Sequence, residues 1–370
     1  MLYEQPRTRK RLTFILQILF CLTYICSTAQ ESKKSIPINI SGYAEVYYNY
    51  DFGNPSDDYR PRFICSYNRH NEININLAYL KAAWNTERLR ANVALMTGTY
   101  ANANLADEPG VLKNIFEANI GIKISKKSNL WIDAGVFPSH IGFESARGMD
   151  CGSLTRSMLA DNSPYYESGV KITYQDKSEK WLASGLILNG WQRIQREAGN
   201  SLPAFGHQIT YHPHKTITIN SSSYIGSEGT DEERRMRYYH NLYMKFQFYR
   251  EFEITLGFDI GLQQRKKGRS QHDVWFSPVL LYSFKPAKNL KLCTRIEYFD
   301  DTEAVIVESM SPYGFQTLGY SINFDYQIQP NMLWRIEGRG FLGRDKIFFM
   351  NDKPSNQNYS LTTALIVAFD

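Results

Sequence analysis

Strict alternation of apolar with polar or small residues is the feature that most constrains this fold. From Phe252 to Leu262 every second residue is apolar, and segments 316–328 and 358–369 show the same pattern. Successive side chains of a β-strand point to opposite faces, so a period of two predicts strands with one apolar and one polar face. A helix would instead place apolar residues three and four positions apart.

The alternation predicts 16 strands, many of them close to the ~9–11 residues that a tilted strand needs to cross a bilayer. The expected bounds are 38–51, 71–84, 87–98, 113–124, 129–137, 165–175, 180–189, 204–211, 216–224, 236–248, 251–263, 273–284, 290–300, 315–328, 332–343 and 358–369. We therefore expect an all-β fold, namely a transmembrane antiparallel β-barrel.

The connections between these strands alternate in length. Seven turns of two to five residues follow the even-numbered strands, and eight loops of nine to 27 residues follow the odd-numbered ones. Outer-membrane barrels have short periplasmic turns and long external loops, so both termini are expected in the periplasm. A secreted two-sheet β-sandwich would also alternate. Its inner face would be dry, however, whereas Arg335, Glu337 and Arg339 place a row of charges on one face of a strand.

The N-terminal 29 residues predict a secretory signal peptide. Four basic residues between Arg7 and Arg11 precede an almost wholly apolar run, 12–25, and small residues end at Ala29. This order is typical of a signal peptide cleaved after Ala29. A retained anchor is the alternative, but the apolar run is shorter than the ~20 residues of a spanning helix. We expect a signal peptide at 1–29 and a barrel at 30–370, exported to the outer membrane of a Gram-negative cell.

The composition excludes some partners and leaves others open. Without residues 1–29 the chain has 38 basic and 36 acidic residues and no basic block, so nucleic acid is not an expected partner. Aromatic residues make up 14% of the chain, as suits a protein with membrane interfaces. Cys65, Cys151 and Cys293 are far apart in sequence. They leave one disulfide open and predict no metal site.

Several short segments resemble a known family. They lie at 74–81 (NINLAYLK), 134–139 (AGVFPS), 141–144 (IGFE), 155–157 (TRS) and 164–169 (PYYESG). With these segments the chain resembles the β-barrel porins of the OmpL-like kind common in Bacteroidetes. They cover about the first half of the chain, and the second half matches only in pattern. The resemblance implies a passive outer-membrane channel, but it assigns no fixed set of functional residues.

The loop 138–164 is the longest, with 27 residues, and the third on the external side. The third loop of general porins folds inward and narrows the pore, and long loops in compact folds tend to be functional. Its charged residues are our candidates for a pore constriction: Glu144, Arg147, Asp150, Arg156 and Asp161. Rings of such charges determine ion selectivity. An external cap with solvated charges is the alternative.

Strand parity places further charges on the wall of the lumen. A Lys or Arg on the lipid face costs ~2–4 kcal/mol at the bilayer midplane, so charged positions opposite an apolar face are expected to point inward. The pore-wall candidates are Arg295, Glu297, Arg335, Glu337 and Arg339. Their net charge is +1 and that of the five loop candidates is −1. This near balance predicts a weakly selective pore.

The sequence thus predicts a channel for passive diffusion of small hydrophilic solutes. It contains no G-x-S-x-G, H-E-x-x-H or phosphate-binding glycine motif, so we expect no enzyme, cofactor or metal. The expected partners are outer-membrane lipid, the solutes, and the barrel-assembly machinery that reads a last strand such as the one ending at Phe369. A homo-oligomer remains open. The alternatives are an outer-membrane lipase or protease, or a surface adhesin or scaffold. The aqueous lumen of a 16-stranded barrel favours the channel.

Overall fold

The computed structural model describes residues 38–369, in which 16 strands close into one antiparallel barrel. The strands are β1 (Ile38–Asp51), β2 (Ile73–Asn85), β3 (Leu89–Thr97), β4 (Ile115–Lys123), β5 (Asn129–Pro138), β6 (Tyr166–Gln175), β7 (Trp181–Leu188), β8 (Ala204–His214), β9 (Ile217–Glu228), β10 (Arg235–Phe248), β11 (Phe252–Gln264), β12 (His272–Ala287), β13 (Leu290–Asp301), β14 (Phe315–Gln329), β15 (Met332–Gly343) and β18 (Gln357–Phe369). Pairing of β1 with β18 closes the barrel. The predicted 16-stranded barrel is confirmed. The signal-peptide prediction falls outside the described residues and stays a prediction.

Strand β9 ends four residues later than predicted, at Glu228, and two other strands continue past prolines. β8 and β12 each continue three residues beyond the predicted end, across Pro213 and Pro286. The pairing register shifts between Tyr211 and His214, and again between Phe284 and Ala287. Proline cannot donate a hydrogen bond to a neighbouring strand, but a local irregularity accommodates it. The prolines therefore bend the ladder without ending it.

The alternation of connections is confirmed. The turns after even-numbered strands have two to five residues, and the loops after odd-numbered strands have six to 27. Four of the long loops matter below, and we call them L1 (52–72), L3 (139–165), L7 (302–314) and L8 (344–356). L3 corresponds to the predicted loop 138–164 and contains a short helix, α2 (Met158–Asp161), after α1 (Thr99–Asn104) in the preceding loop. L8 contains a small hairpin of β16 (Phe348–Met350) and β17 (Lys353–Ser355).

The two faces of the barrel wall have the predicted parity. The outward apolar side chains are exposed on strands β11, β14 and β18: Leu256, Phe258, Ile322, Leu365 and Val367. The residues between them, such as Thr255 and Asp259, are buried inside. Near the short-turn end, the outer rings of Phe248, Phe252 and Phe284 stack with centroids 5.6 and 4.8 Å apart. Such a group suits a membrane interface.

The interior of the barrel is largely filled by its own loops. Tyr67 of L1 and Leu154 and Leu159 of L3 are buried in one cluster with Tyr47 of β1 and Leu281 of β12. The core therefore lies between the inner wall and the two loops. Within residues 38–369, no helix is long and apolar enough to cross a membrane.

Candidate functional site

Backbone N–H groups of L3 are bound by wall side chains. Thr155 N donates to Glu337 Oε2 at 2.6 Å, and Met158 N donates to Glu297 Oε2, also at 2.6 Å. Because L3 begins after β5 and these carboxylates lie on β13 and β15, the loop crosses the barrel interior to reach them. Charged acceptors of this kind make the stronger protein hydrogen bonds.

Two wall arginines bind L3 through its carbonyl groups. Arg295 Nη1 donates to Thr155 O at 2.7 Å and to Ser153 Oγ at 2.9 Å. Arg335 Nη1 donates to Gly148 O at 2.6 Å. L3 is therefore bound to the wall at two places, near residue 148 and near residue 155.

The five predicted wall residues all lie on the lumen face and beneath L3, each with at most 3% of its surface exposed: Arg295, Glu297, Arg335, Glu337 and Arg339. Arg295 lies 3.1 Å from Glu297 and 2.9 Å from Glu337. Arg335 pairs with Asp325 of β14 at 2.6 Å. With Asp325 included, the cluster has three bases and three acids. It is charge-balanced, and L3 covers it.

Small residues on β14 leave room for this cluster. Ser321 is opposite both Arg295 and Arg339, and Gly319 is opposite Glu297. A Cβ atom at Gly319 would lie 2.8 Å from the Glu297 side chain. Glu297 can thus extend over β14 and accept a hydrogen bond from Arg339 Nη2 at 2.7 Å. The alternation of large and small residues across three strands creates the ionic cluster.

Of the five constriction candidates, three face open space and two are buried. Glu144, Arg147 and Asp150 line a cavity beside L3. Arg147 Nε lies 3.4 Å from Asp150 Oδ2. Arg156 and Asp161 are 0% and 6% exposed. The loop candidates therefore divide into a cavity-lining set and a buried set.

The two buried candidates hold L3 in shape. Arg156 donates to Ser145 O at 2.7 Å and to Leu154 O at 2.6 Å, which folds the loop back on itself. Asp161 accepts hydrogen bonds from Tyr165 Oη at 3.2 Å and from Ser66 Oγ of L1 at 3.3 Å. Burial raises the pKa of Asp161 to about 7. This carboxyl group therefore titrates near neutral pH.

A buried histidine at the start of L3 was not predicted from the sequence. His140 Nδ1 lies 2.7 Å from Glu167 Oε2, and its Nε2 lies 2.8 Å from Ser223 O. Both partners are acceptors, so the ring can donate to both only when it is protonated. Burial lowers the pKa of His140, but the Glu167 carboxylate outweighs burial and the pKa is raised. The partners are 27 and 83 residues away in sequence, and no sequence motif could connect them.

Two cavities lie beside L3. One of about 470 Å³ begins at the long-loop end, near Tyr100 and Pro138, and extends down to Lys81. The other, of about 230 Å³, lies at the short-turn end, near Arg250. Both are lined by Phe143 and Asp150 of L3. The two spaces therefore adjoin at one part of the loop.

Residues 38–369 contain neither a candidate metal site nor a disulfide. No group of three or more His, Cys, Asp or Glu side chains in this range could hold a metal ion. Cys65, Cys151 and Cys293 are all unpaired. The disulfide left open by the sequence does not form among them.

Several solved structures share this architecture at low sequence identity. An anion-selective porin from Comamonas acidovorans aligns with a TM-score of 0.59 and 7% identity, over 90% of this chain and 99% of that one. In-vitro folded OmpT of Vibrio cholerae aligns with a TM-score of 0.58 and 9% identity, over 92% and 100%. The outer membrane channel DcaP of Acinetobacter baumannii aligns with a TM-score of 0.58 and 11% identity, over 90% and 97%. At these identities the similarity shows the fold.

A match to a family model, rather than the similar structures, identifies the family of this chain. No curated protein sequence matches the chain. The model of one family matches residues 37–369, which is nearly the whole barrel, and the resemblance seen in the first half of the sequence points to the same family. The chain belongs to the family described as "Putative beta-barrel porin-2, OmpL-like".

Proposed function

We propose that this outer-membrane barrel is a passive channel for small hydrophilic solutes, and that L3 narrows its bore. The observation that carries the proposal is the pair of cavities that adjoin at Phe143 and Asp150. Solutes would enter between L3 and the wall on the side of β2 to β6 and leave at the short-turn end along β10 to β13. L3 itself is anchored to the wall on β13 and β15.

The roles of the ten candidate residues then differ. Glu144, Arg147 and Asp150 line the passage and would meet solutes. Arg156 and Asp161 would keep the shape of L3. The five wall residues, being buried beneath L3, would anchor the loop rather than contact solutes. Removing any one of them would thus change the pore by releasing L3.

The charges that line the passage support weak ion selectivity. The two cavities together are lined by six basic and five acidic side chains: Lys81, Arg147, Lys245, Arg250, Lys285 and Lys291, against Glu117, Glu144, Asp150, Glu251 and Glu253. The acids predominate at the long-loop end and the bases at the short-turn end. With a Debye length of about 8 Å at physiological salt, each group acts mainly on ions close to it. The reversal potential in a salt gradient should therefore be small.

Export and assembly complete the proposal. Residues 1–29 would direct secretion and be cleaved after Ala29, the long loops would face the exterior, and strand β18 would be read by the barrel-assembly machinery. One similar structure is a trimer form of OmpT, and we propose that this barrel also forms a homo-oligomer. N-terminal sequencing of the protein from outer membranes should begin near Gln30. A protein that begins at Met1 would exclude the cleavage.

The enzyme alternative has one observation in its favour. Ser223 Oγ lies 2.5 Å from His207 Nδ1, and both residues share the outward face of their strands with the exposed Phe205 and Ile225, two positions away. A lipase would also need a group that orients the histidine and donors for the oxyanion. Within residues 38–369, His207 makes no hydrogen bond or ion pair to a carboxylate, and its ring instead packs 6.2 Å from that of His240, centroid to centroid. We therefore propose no enzymatic activity. No specific contact favours the adhesin alternative.

The test is solute flux in proteoliposomes made with the full-length purified protein. A size series from glycine to a trisaccharide should show rapid entry of the smallest solutes and a sharp decline with size. Absence of flux for every solute would overturn the channel. Phospholipid hydrolysis, compared between the wild type and Ser223→Ala, tests the lipase in the same vesicles, where we expect no activity from either.

A further inference from the structure

A third cavity lies at the long-loop end, apart from the proposed passage. It has a volume of about 860 Å³ and is lined by L1, L7, L8, the ends of β1, β14 and β18, and Asn162 of L3. Neither Phe143 nor Asp150 contributes to it. Its size is within the range of ligand sites in proteins, which are mostly apolar with a few polar groups that orient the ligand.

The lining of this cavity combines apolar side chains, which contacts hold in place, with charged ones such as Asp57, Arg62 and Glu308. Phe63 packs against Phe315 and Phe348, with ring centroids 4.7 and 6.2 Å apart. On the L7 side, the Asp301 carboxylate accepts hydrogen bonds from Ile306 N at 2.7 Å and Val307 N at 2.9 Å. These contacts hold the apolar side chains in place before any ligand arrives.

Three polar side chains in the lining have atoms without a hydrogen-bond partner in residues 38–369. Arg60, Asp51 and Asn358 are each at most 2% exposed. Arg60 uses Nη2 to donate to Ser360 Oγ, while its Nε and Nη1 make no hydrogen bond within that range. Asp51 Oδ2 and Asn358 Oδ1 likewise accept none there. A buried polar group without a partner costs about 1–3 kcal/mol, so this arrangement favours a ligand that completes it.

The three polar side chains indicate which charged groups the ligand carries. Asp51 lies between the other two side chains, since its Oδ2 is 3.9 Å from Arg60 Nε and its Oδ1 accepts a hydrogen bond from Asn358 Nδ2 at 2.7 Å. The pair of Arg60 and Asp51 is neutral, so a ligand with a single charge would leave an uncompensated charge in a buried site. A zwitterion with its two charges close together matches the pair. A free α-amino acid carries both groups on one carbon atom, and an apolar side chain would lie along Phe63 and Phe348.

We propose that this cavity binds free α-amino acids with large apolar side chains. The carboxylate contacts Arg60, the ammonium group contacts Asp51 and Asn358, and the side chain fills the apolar part. This binding site is separate from the diffusion path and does not depend on transport.

Isothermal titration of the full-length protein in detergent micelles with L-phenylalanine tests the proposal. We expect binding by the wild type, and at least about tenfold weaker binding of 3-phenylpropanoate and phenethylamine, each of which lacks one charged group. Arg60→Gln should weaken L-phenylalanine about tenfold, whereas the control Arg265→Gln, in an exposed ion pair of another loop, should leave binding unchanged.

The decisive comparison tests whether each substitution changes which of the three ligands the site prefers. In Asp51→Asn, 3-phenylpropanoate should bind as well as L-phenylalanine, because the site is then cationic. In Arg60→Gln, phenethylamine should gain in the same way. A variant that merely misfolds would lose all three ligands together, and heat-modifiability on a gel identifies it. No binding of L-phenylalanine to the wild type, or equal binding of all three ligands, would overturn the proposal and assign the three polar groups to water.

Discussion

Replacing Arg295 by methionine should release L3 from the barrel wall. The guanidinium group donates to Ser153 Oγ, Thr155 O and Thr155 Oγ1, and it pairs with Glu337 at 2.9 Å. Methionine has similar length but no donors. Its introduction leaves the Glu337 and Glu297 carboxylates without this cation in a fully buried cluster. Breaking a buried pair in this way costs about 3–5 kcal/mol.

This energy bears directly on the opening of L3. Each 1.4 kcal/mol is a factor of ten, so the opening equilibrium should rise by about two to three and a half orders of magnitude. Amide hydrogen exchange of peptides within 145–160 measures that equilibrium when closing is fast. The strand peptides of β9 and β10 should change little.

The matched control is Arg265→Met. Arg265 pairs with Asp273 and with Glu303, at 3.1 Å from the latter, but it is about half exposed. Exposed pairs contribute about 0–1 kcal/mol, so exchange in L3 should be unchanged. If Arg295→Met leaves exchange within 145–160 within threefold of the wild type, the wall cluster does not hold the loop.

Three further results are expected. Burial raises the pKa of Asp161 from 3.8 to about 7, so anchoring of L3 should weaken as pH rises across that interval. The pKa of His140 is also raised, so the anchoring of L3 should continue to weaken above pH 6.5. Hydrogen exchange of L3 measures this pH dependence, and Asp161→Asn should remove the part of it that lies between pH 3.8 and about 7. Gly135 has φ 126°, and a Cβ atom there would lie 2.1 Å from Ala118 O. Gly135→Ala should therefore destabilise the barrel by about 1–3 kcal/mol and lower its thermal unfolding temperature. Gly338→Ala is the control, because a Cβ atom at Gly338 has no atom within 4 Å, and it should leave that temperature unchanged. Spin labels at Leu256, Phe258, Ile322, Phe324, Leu365 and Val367 should be accessible to oxygen and shielded from a water-soluble relaxant, and the reverse would place the outward face one residue out of register.

The architecture was predictable because it depends on local patterns. The period of two in segments such as Phe252–Leu262 assigns each side chain to a face, and connection lengths assign each strand its direction. The predicted bounds ended two strands at Tyr211 and Phe284, whereas the barrel continues them past Pro213 and Pro286 with register shifts. Neighbouring strands in a closed sheet supply pairing partners that a single segment does not reveal.

The interior was predictable only in part. Parity placed Arg295 and Glu337 on the lumen face, but it could not show that L3 covers them, since the contact joins residues 140 positions apart or more. Likewise, His140 and Glu167 meet through the closure of the barrel. Long-range contacts of this kind depend on three-dimensional geometry, so the division of the loop charges into cavity-lining and buried sets required the structure.

Single-channel conductance in planar bilayers of the wild type and of a variant lacking residues 145–160 tests the proposed path of solutes most directly. L3 occupies much of the lumen, so the wild type should show small ohmic steps, and the deletion should raise their amplitude severalfold while the barrel still assembles. A deletion of 266–270, at an exposed loop tip, should leave the amplitude unchanged. Equal conductance of the wild type and the 145–160 deletion, with both proteins folded, would contradict a constriction formed by L3.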